Sequence, residues 1–218
     1  MSNNLTFTAT IEADRIRRSH GQKFLLATGF AGVPFIGTFV ILGALAPNYN
    51  SIREAISALE FTSLSAGQRL NFLVFGLLLC AFALALRREL HPGRGAVAVP
   101  FFQMLSGIAV IGDAIFIHFP LHLVCDLIAF LSTLMVLFVF AWLFRQDARW
   151  KGWSVYSAAT AILMMLLLGL FGYMNHAGGP AGLMEKAVTL ARTLWSVVFV
   201  TRLLAGWPLN FGYASAAK

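Results

Sequence analysis

Six long apolar runs decide what this chain can become. They fall at residues 24–46, 67–86, 97–118, 121–144, 153–174 and 183–204. Each is close to the ~20 residues that a helix needs to cross a bilayer. None shows the alternation with period two that a barrel strand requires. Only 11% of the residues are charged and 59% are hydrophobic, whereas a water-soluble domain carries about 25% charged residues. One soluble core could not hide that much apolar surface. The expected fold class is therefore all-α, a polytopic transmembrane helical bundle of about six spans. Residues 1–22 form an N-terminal cytoplasmic segment, 23–206 the six-helix domain and 207–218 a cytoplasmic tail. The opening segment lacks the short apolar run and small-residue cleavage site of a signal peptide.

The connectors set the expected orientation. Arg15, Arg17, Arg18 and Lys23 precede the first run, and Arg87, Arg88 and Arg94 follow the second. Arg145, Arg149 and Lys151 follow the fourth, and Arg202 and Lys218 end the sixth. The alternate connectors hold only Arg53, Arg69 and Lys186. The positive-inside rule then puts both termini in the cytoplasm. The net charge of +7 belongs to this pattern. The aromatic–basic interleaving of a nucleic-acid groove is missing, so no nucleic-acid partner is expected. Cys80 and Cys125 lie inside apolar runs and read as small packing hydrophobes.

The first outer connector is long. Within residues 51–60, Ile52, Ile56 and Leu59 recur at helical spacing, which predicts a short interfacial helix after the first span, with Ser51 as its N-cap.

Ionisable groups inside hydrocarbon are costly and mark function by default. Here they fall in stripes. Gln103, Ser106 and Asp113 share one face of the third span; His122, Asp126 and Thr133 share one face of the fourth; Glu185, Thr189, Arg192 and Ser196 share one face of the sixth. With Asn71 and His176 they predict a polar cavity open to the outside. Asp113, Arg192, Asn71, Glu185 and His176 are the ligand-binding candidates. Arg192 stays charged and needs an anion or water. Two readings are open for it: an ion pair with Asp113 or Asp126 that fixes helix register, or a clamp for a phosphate or carboxylate headgroup. His118, His122 and Asp126 are the metal candidates, since two imidazoles plus a carboxylate suit zinc or non-haem iron. Haem fits less well, because the histidines crowd at one membrane level. Phosphate-loop and nucleophile-elbow motifs are absent from the sequence.

The segment Pro47-Asn-Tyr-Asn-Ser-Ile-Arg-Glu-Ala-Ile-Ser-Ala-Leu59 resembles the P-x-Y-x-x-x-R-x-x-I-S-x-L outer loop of the domain of unknown function 998 family. Asn71 and Gly76, the Phe119-Pro120 turn, His122, Gly182-Leu-Met-Glu-Lys-Ala and Trp195 are similar to that family's pattern. The resemblance runs from about Pro47 to Leu204. It implies a six-span membrane protein of bacteria or archaea, in the inner (cytoplasmic) membrane, with no settled activity. Two positions depart from the pattern. Glu60 stands where members usually have Gly, and Leu121 where they often have an acid, a role Asp126 could take over.

The function expected is a lipid-associated binding or scaffold protein, or a subunit of a membrane complex, with membrane lipids and other membrane subunits as partners. The alternative is a metal-dependent hydrolase of lipid headgroups, with Asp113 as base or ligand and Ser57 contributing from the outer loop. A small transporter is the third reading, disfavoured because no span looks broken at mid-depth and no inverted repeat is visible.

Overall fold

Apolar runs of this length leave the backbone one way to satisfy its hydrogen bonds in lipid, namely within the same segment. The computed structural model describes residues 18–209 and 211, apart from 92, 118 and 119. It contains helices α1 (His20–Ala27), α2 (Gly32–Leu45), α3 (Ser65–Leu90), α4 (Ala98–Ile115), α5 (Leu121–Phe144), α6 (Trp153–Ala177) and α7 (Ala181–Leu204). Taking α1 and α2 as one span, six helical stretches are long and apolar enough to cross a membrane. Large apolar side chains such as Val155, Leu166 and Leu194 stand exposed on the outside of the bundle, as a lipid-facing surface requires. The chain is an all-α, multi-pass membrane protein.

The helices follow one another around a ring, each beside its neighbour in sequence, and the first span closes the ring between α3 and α7. The tightest crossing joins α3 to α4. A Cβ on Gly76 would come within 2.7 Å of the Gly107 carbonyl oxygen, and one on Gly107 within 2.9 Å of the Gly76 oxygen. Two glycines facing each other let the backbones touch, the small-residue device of membrane helices.

The first span departs from expectation. It is broken by a 3-10 turn at Thr28–Phe30. Pro34 has no N–H to give the Phe30 carbonyl, and the Thr28 hydroxyl bonds back to Leu25 O at 2.6 Å. The break is packed shut rather than open to a pathway. A Cβ on Gly29 would meet Val200 and Phe82, and Ser196 donates its hydroxyl to Gly29 O at 2.7 Å.

The two ends of the ring differ. At one end Phe140, Phe144, Trp150, Trp153, Trp195 and Phe199 fill the interior, with neighbouring ring centroids 4.7–6.5 Å apart. Here Arg18 grips Glu89 of α3 through two bonds of 2.8 and 2.6 Å and donates to the terminal carbonyls of Leu203 and Trp207. A residue that orientation counting treats as a loose charge is thus 3% exposed, against 7% for Glu89. Arg202 lies over the rings of both Trp153 and Trp207, at 5.1 and 4.3 Å.

The other end carries the connector between α2 and α3. The expected helix over 51–60 is shorter and begins later, as a 3-10 helix at Ile56–Phe61. Ser51 is not its cap. Asn50 instead organises the preceding turn, its Oδ1 accepting from the backbone N–H groups of Ile52 and Arg53 at 3.1 and 3.2 Å. Ile56 and Leu59 are buried, and Ile52 is exposed. The reason is tertiary. The Arg53 and Ile52 carbonyls accept the N–H groups of Gly182 and Leu183 at 3.1 and 2.9 Å, donors that the first turn of α7 cannot satisfy by itself.

Candidate functional site

The connector and α7 hold each other through their side chains as well. Glu185 Oε2 accepts from the Ile56 N–H at 2.6 Å, capping the 3-10 helix from another element. Lys186 Nζ reaches the Tyr49 hydroxyl and Glu54 O, each at 3.1 Å. Burial, reinforced by the Glu185 and Glu54 charges, pushes the Tyr49 phenol well above its ordinary range, so it remains a neutral donor and acceptor. A Cβ on Gly182 would run into the Glu54 backbone. The two segments that carried the family resemblance, Pro47 to Leu59 and Gly182 to Ala187, therefore meet as a single clamp.

Below this clamp lies a cavity of about 50 Å³ between α2, α3, α4, α5 and α7. A water needs roughly 10–15 Å³ of such space, so there is room for a few waters or one small anionic group. Phe35, Phe72, Phe75 and Val110 supply apolar walls, and Asp113, Asp126, Glu185, Thr189 and Arg192 supply the polar ones. The helical stripes explain the depths. Asp113 lies near the end of α4, while Ser106 is seven residues, ~10 Å, further in at 1.5 Å per residue. Thr133 stands in the same relation to Asp126 on α5.

Arg192 reaches the inner end of this cavity. Its Nη2 donates to the Ser106 hydroxyl at 3.3 Å, and its guanidinium lies 5.3 Å from the Phe75 ring centre. Ser106 in turn is 3.1 Å from the Thr133 hydroxyl, and both side chains donate to Ala129 O. Of the two readings open for Arg192, the direct ion pair with Asp113 or Asp126 is not formed. Among the described residues no acid lies within 4.0 Å of this guanidinium. Its neighbours are a hydroxyl and an aromatic face, so its charge is solvated but not neutralised.

Towards the connector, Asp113, His122 and Asp126 come together. One ligand-type atom from each lies within 4.8 Å of the other two. His122 Nε2 is 3.5 Å from Asp126 Oδ2, and its Nδ1 is 3.1 Å from the Phe116 carbonyl. Asp113 is 1% exposed, and its Oδ1 has no hydrogen-bond partner among the described residues. The third metal candidate, His118, lies outside the described residues.

Two ligand candidates fall elsewhere. Asn71 donates to Phe35 O at 3.2 Å and lines a separate groove between α2 and α3, where it ties those helices together. His176 is exposed on the last turn of α6 and does not line the cavity.

Glu60 is a further buried acid on the connector. This residue of the 3-10 helix is 3% exposed, and both its carboxylate oxygens are unpartnered among the described residues. Its burial pushes the carboxyl up to about 7, with the Arg69 charge opposing that rise and the Asp126 charge reinforcing it. The sequence did carry a signal, an acid inside the apolar Ile56–Phe61 stretch at a place where the family pattern has glycine. It was legible only as a departure, because nothing local says which way the side chain turns.

Six helices long and apolar enough to span, five of them enclosing an acid-lined cavity with one arginine at its inner end, define a polytopic helical membrane protein with a buried polar site. Among curated proteins and solved structures, none matches the chain. The family model described as "Protein of unknown function (DUF998)" matches residues 30–202. The chain belongs to that family.

Proposed function

We propose that this protein binds the anionic headgroup of a membrane lipid in a cavity open to the outer side of a prokaryotic inner membrane, with both termini in the cytoplasm. The observation that carries the reading is Arg192. Holding a guanidinium at this depth without an acid beside it is expensive. Carboxylates stand around the same cavity, yet none takes the arginine as its partner. A phosphate or carboxylate entering the cavity would accept from the remaining guanidinium N–H donors in the bidentate geometry that arginine favours. The cavity accommodates one such group, so the acyl chains would remain in the bilayer. The basic connectors support the orientation, because the cavity lies at the end opposite most of them.

The test is lipid retention by the purified full chain. Native mass spectrometry in mild detergent, after incubation with phosphatidylglycerol or phosphatidylcholine, should show one retained phosphatidylglycerol per chain. Arg192→Met should lose it and Arg88→Met should not. Equal retention of either lipid by wild type and Arg192→Met would overturn the reading.

A further inference from the structure

The headgroup reading uses Arg192 and leaves the acidic end of the cavity without a role. Asp113, Asp126 and the neighbouring His122 are gathered there, and two of their atoms are in an energetically poor state. Buried polar atoms are normally hydrogen-bonded, and an unpaired buried charge costs several kcal/mol. Here Asp113 Oδ1 and His122 Nε2 are buried with no hydrogen-bond partner among the described residues.

We propose that Asp113, His122 and Asp126 bind one divalent transition-metal ion. The histidine geometry makes the strongest case. His122 Nδ1 is placed to donate its proton to the Phe116 carbonyl at 3.1 Å. That bond fixes the tautomer and leaves the Nε2 lone pair free, aimed at the side where Asp126 stands 3.5 Å away. An imidazole whose far nitrogen is tied to a backbone carbonyl is the usual arrangement of a metal-ligating histidine. The mutual separation of 4.8 Å or less among the three donor atoms lets one ion reach all of them. His122 and Asp126 are one turn apart on α5, and Asp113 comes from the end of α4. Two rigid helices therefore present the three ligands.

The donor set indicates the ion. One imidazole with two carboxylates suits zinc and its neighbours rather than a thiophilic metal. The positive charge would offset the carboxylates and give the orphaned atoms a partner. Asp113 and Asp126 also line the cavity that Arg192 enters, so an ion held by them and the guanidinium would act on the same anionic group from two sides. Only this last step rests on the headgroup reading, and the metal site stands or falls separately.

The experiment uses the full chain, purified in detergent, stripped with a chelator and returned to zinc(II) alone. Isothermal titration should give one site per chain. Asp113→Asn and His122→Gln should each weaken it by more than about 10–100-fold, the range for loss of a mere supporting residue, while Arg192→Met should leave it unchanged. Because Asp113→Asn can fail to fold, cobalt(II) provides a second readout on the wild-type chain. It should give visible absorption bands of nitrogen–oxygen coordination, displaced by one equivalent of zinc. Wild type without a stoichiometric site, or His122→Gln binding zinc as wild type does, would overturn the proposal. Loss of phosphatidylglycerol retention in Arg192→Met with zinc binding intact would support both readings. Zinc binding lost in His122→Gln while wild type and Arg192→Met retain both lipids equally would sink the headgroup reading alone.

Discussion

Arg18 and Arg192 both reach into the helical bundle, and the structure assigns them opposite energetic roles. Replacing Arg18 with Met leaves Glu89, 7% exposed, with its two bonds of 2.6 and 2.8 Å gone and Gln22 as the remaining donor at 2.8 Å. Breaking a buried pair by removing one partner costs about 3–5 kcal/mol. Replacing Arg192 with Met removes one long bond to Ser106 and one ring contact with Phe75. These are worth about 1 kcal/mol and about 0.5–2 kcal/mol. Against that loss, the variant no longer buries an unneutralised cation, a penalty of several kcal/mol. The expected result is therefore a loss of about 3–5 kcal/mol for Arg18→Met and no more than about 1 kcal/mol for Arg192→Met. Reversible unfolding in mixed micelles, followed by tryptophan fluorescence, measures both. Adding Glu89→Gln to Arg18→Met should restore part of the stability, since the stranded charge is then gone. If Arg192→Met proved as damaging as Arg18→Met, Arg192 would be structural after all, balanced by the carboxylates across the cavity.

Two further outcomes follow from the connector and the orientation. Gly182→Ala would ordinarily favour a helix by about 1 kcal/mol, but here the new methyl meets the Glu54 backbone; it should instead cost about 1–3 kcal/mol and speed tryptic cleavage after Arg53, and unchanged cleavage with raised stability would refute the clamp. A cysteine replacing His176, in a background with Cys80 and Cys125 changed to Ala, should react with an impermeant maleimide in intact cells, and labelling only in inverted vesicles would reverse the orientation.

Much of the candidate site could be read from spacing. Asp113, His122, Asp126, Glu185 and Arg192 were visible because an ionisable group inside a long apolar run has no bland explanation, and helical period alone sets which of them share a face. Asn71, a polar amide inside the second run, and His176, just past the end of the fifth, stood out beside them and lie elsewhere. Their faces look to the α2–α3 groove and to the outside, and a period cannot say which neighbour a face meets. Glu60 stood out only as a departure from the family pattern, because connectors carry acids freely.

By itself the sequence determined the six spans, the helical class and the spacing of the charges that lie within the spans. Lipid imposes those locally: a run of ~20 apolar residues must close its own hydrogen bonds, and position along the helix follows from counting. Only the tertiary structure decided the partners. Glu185 caps Ile56 from 129 positions away, and Arg18 closes on Glu89 across 71. The first span breaks where Pro34 withholds a donor and Ser196 takes the Gly29 carbonyl. Arg192 ends beside Ser106 rather than an acid. Each pairing depends on how the ring of helices closes and how the connector folds back onto α7, and no local pattern of residues encodes that.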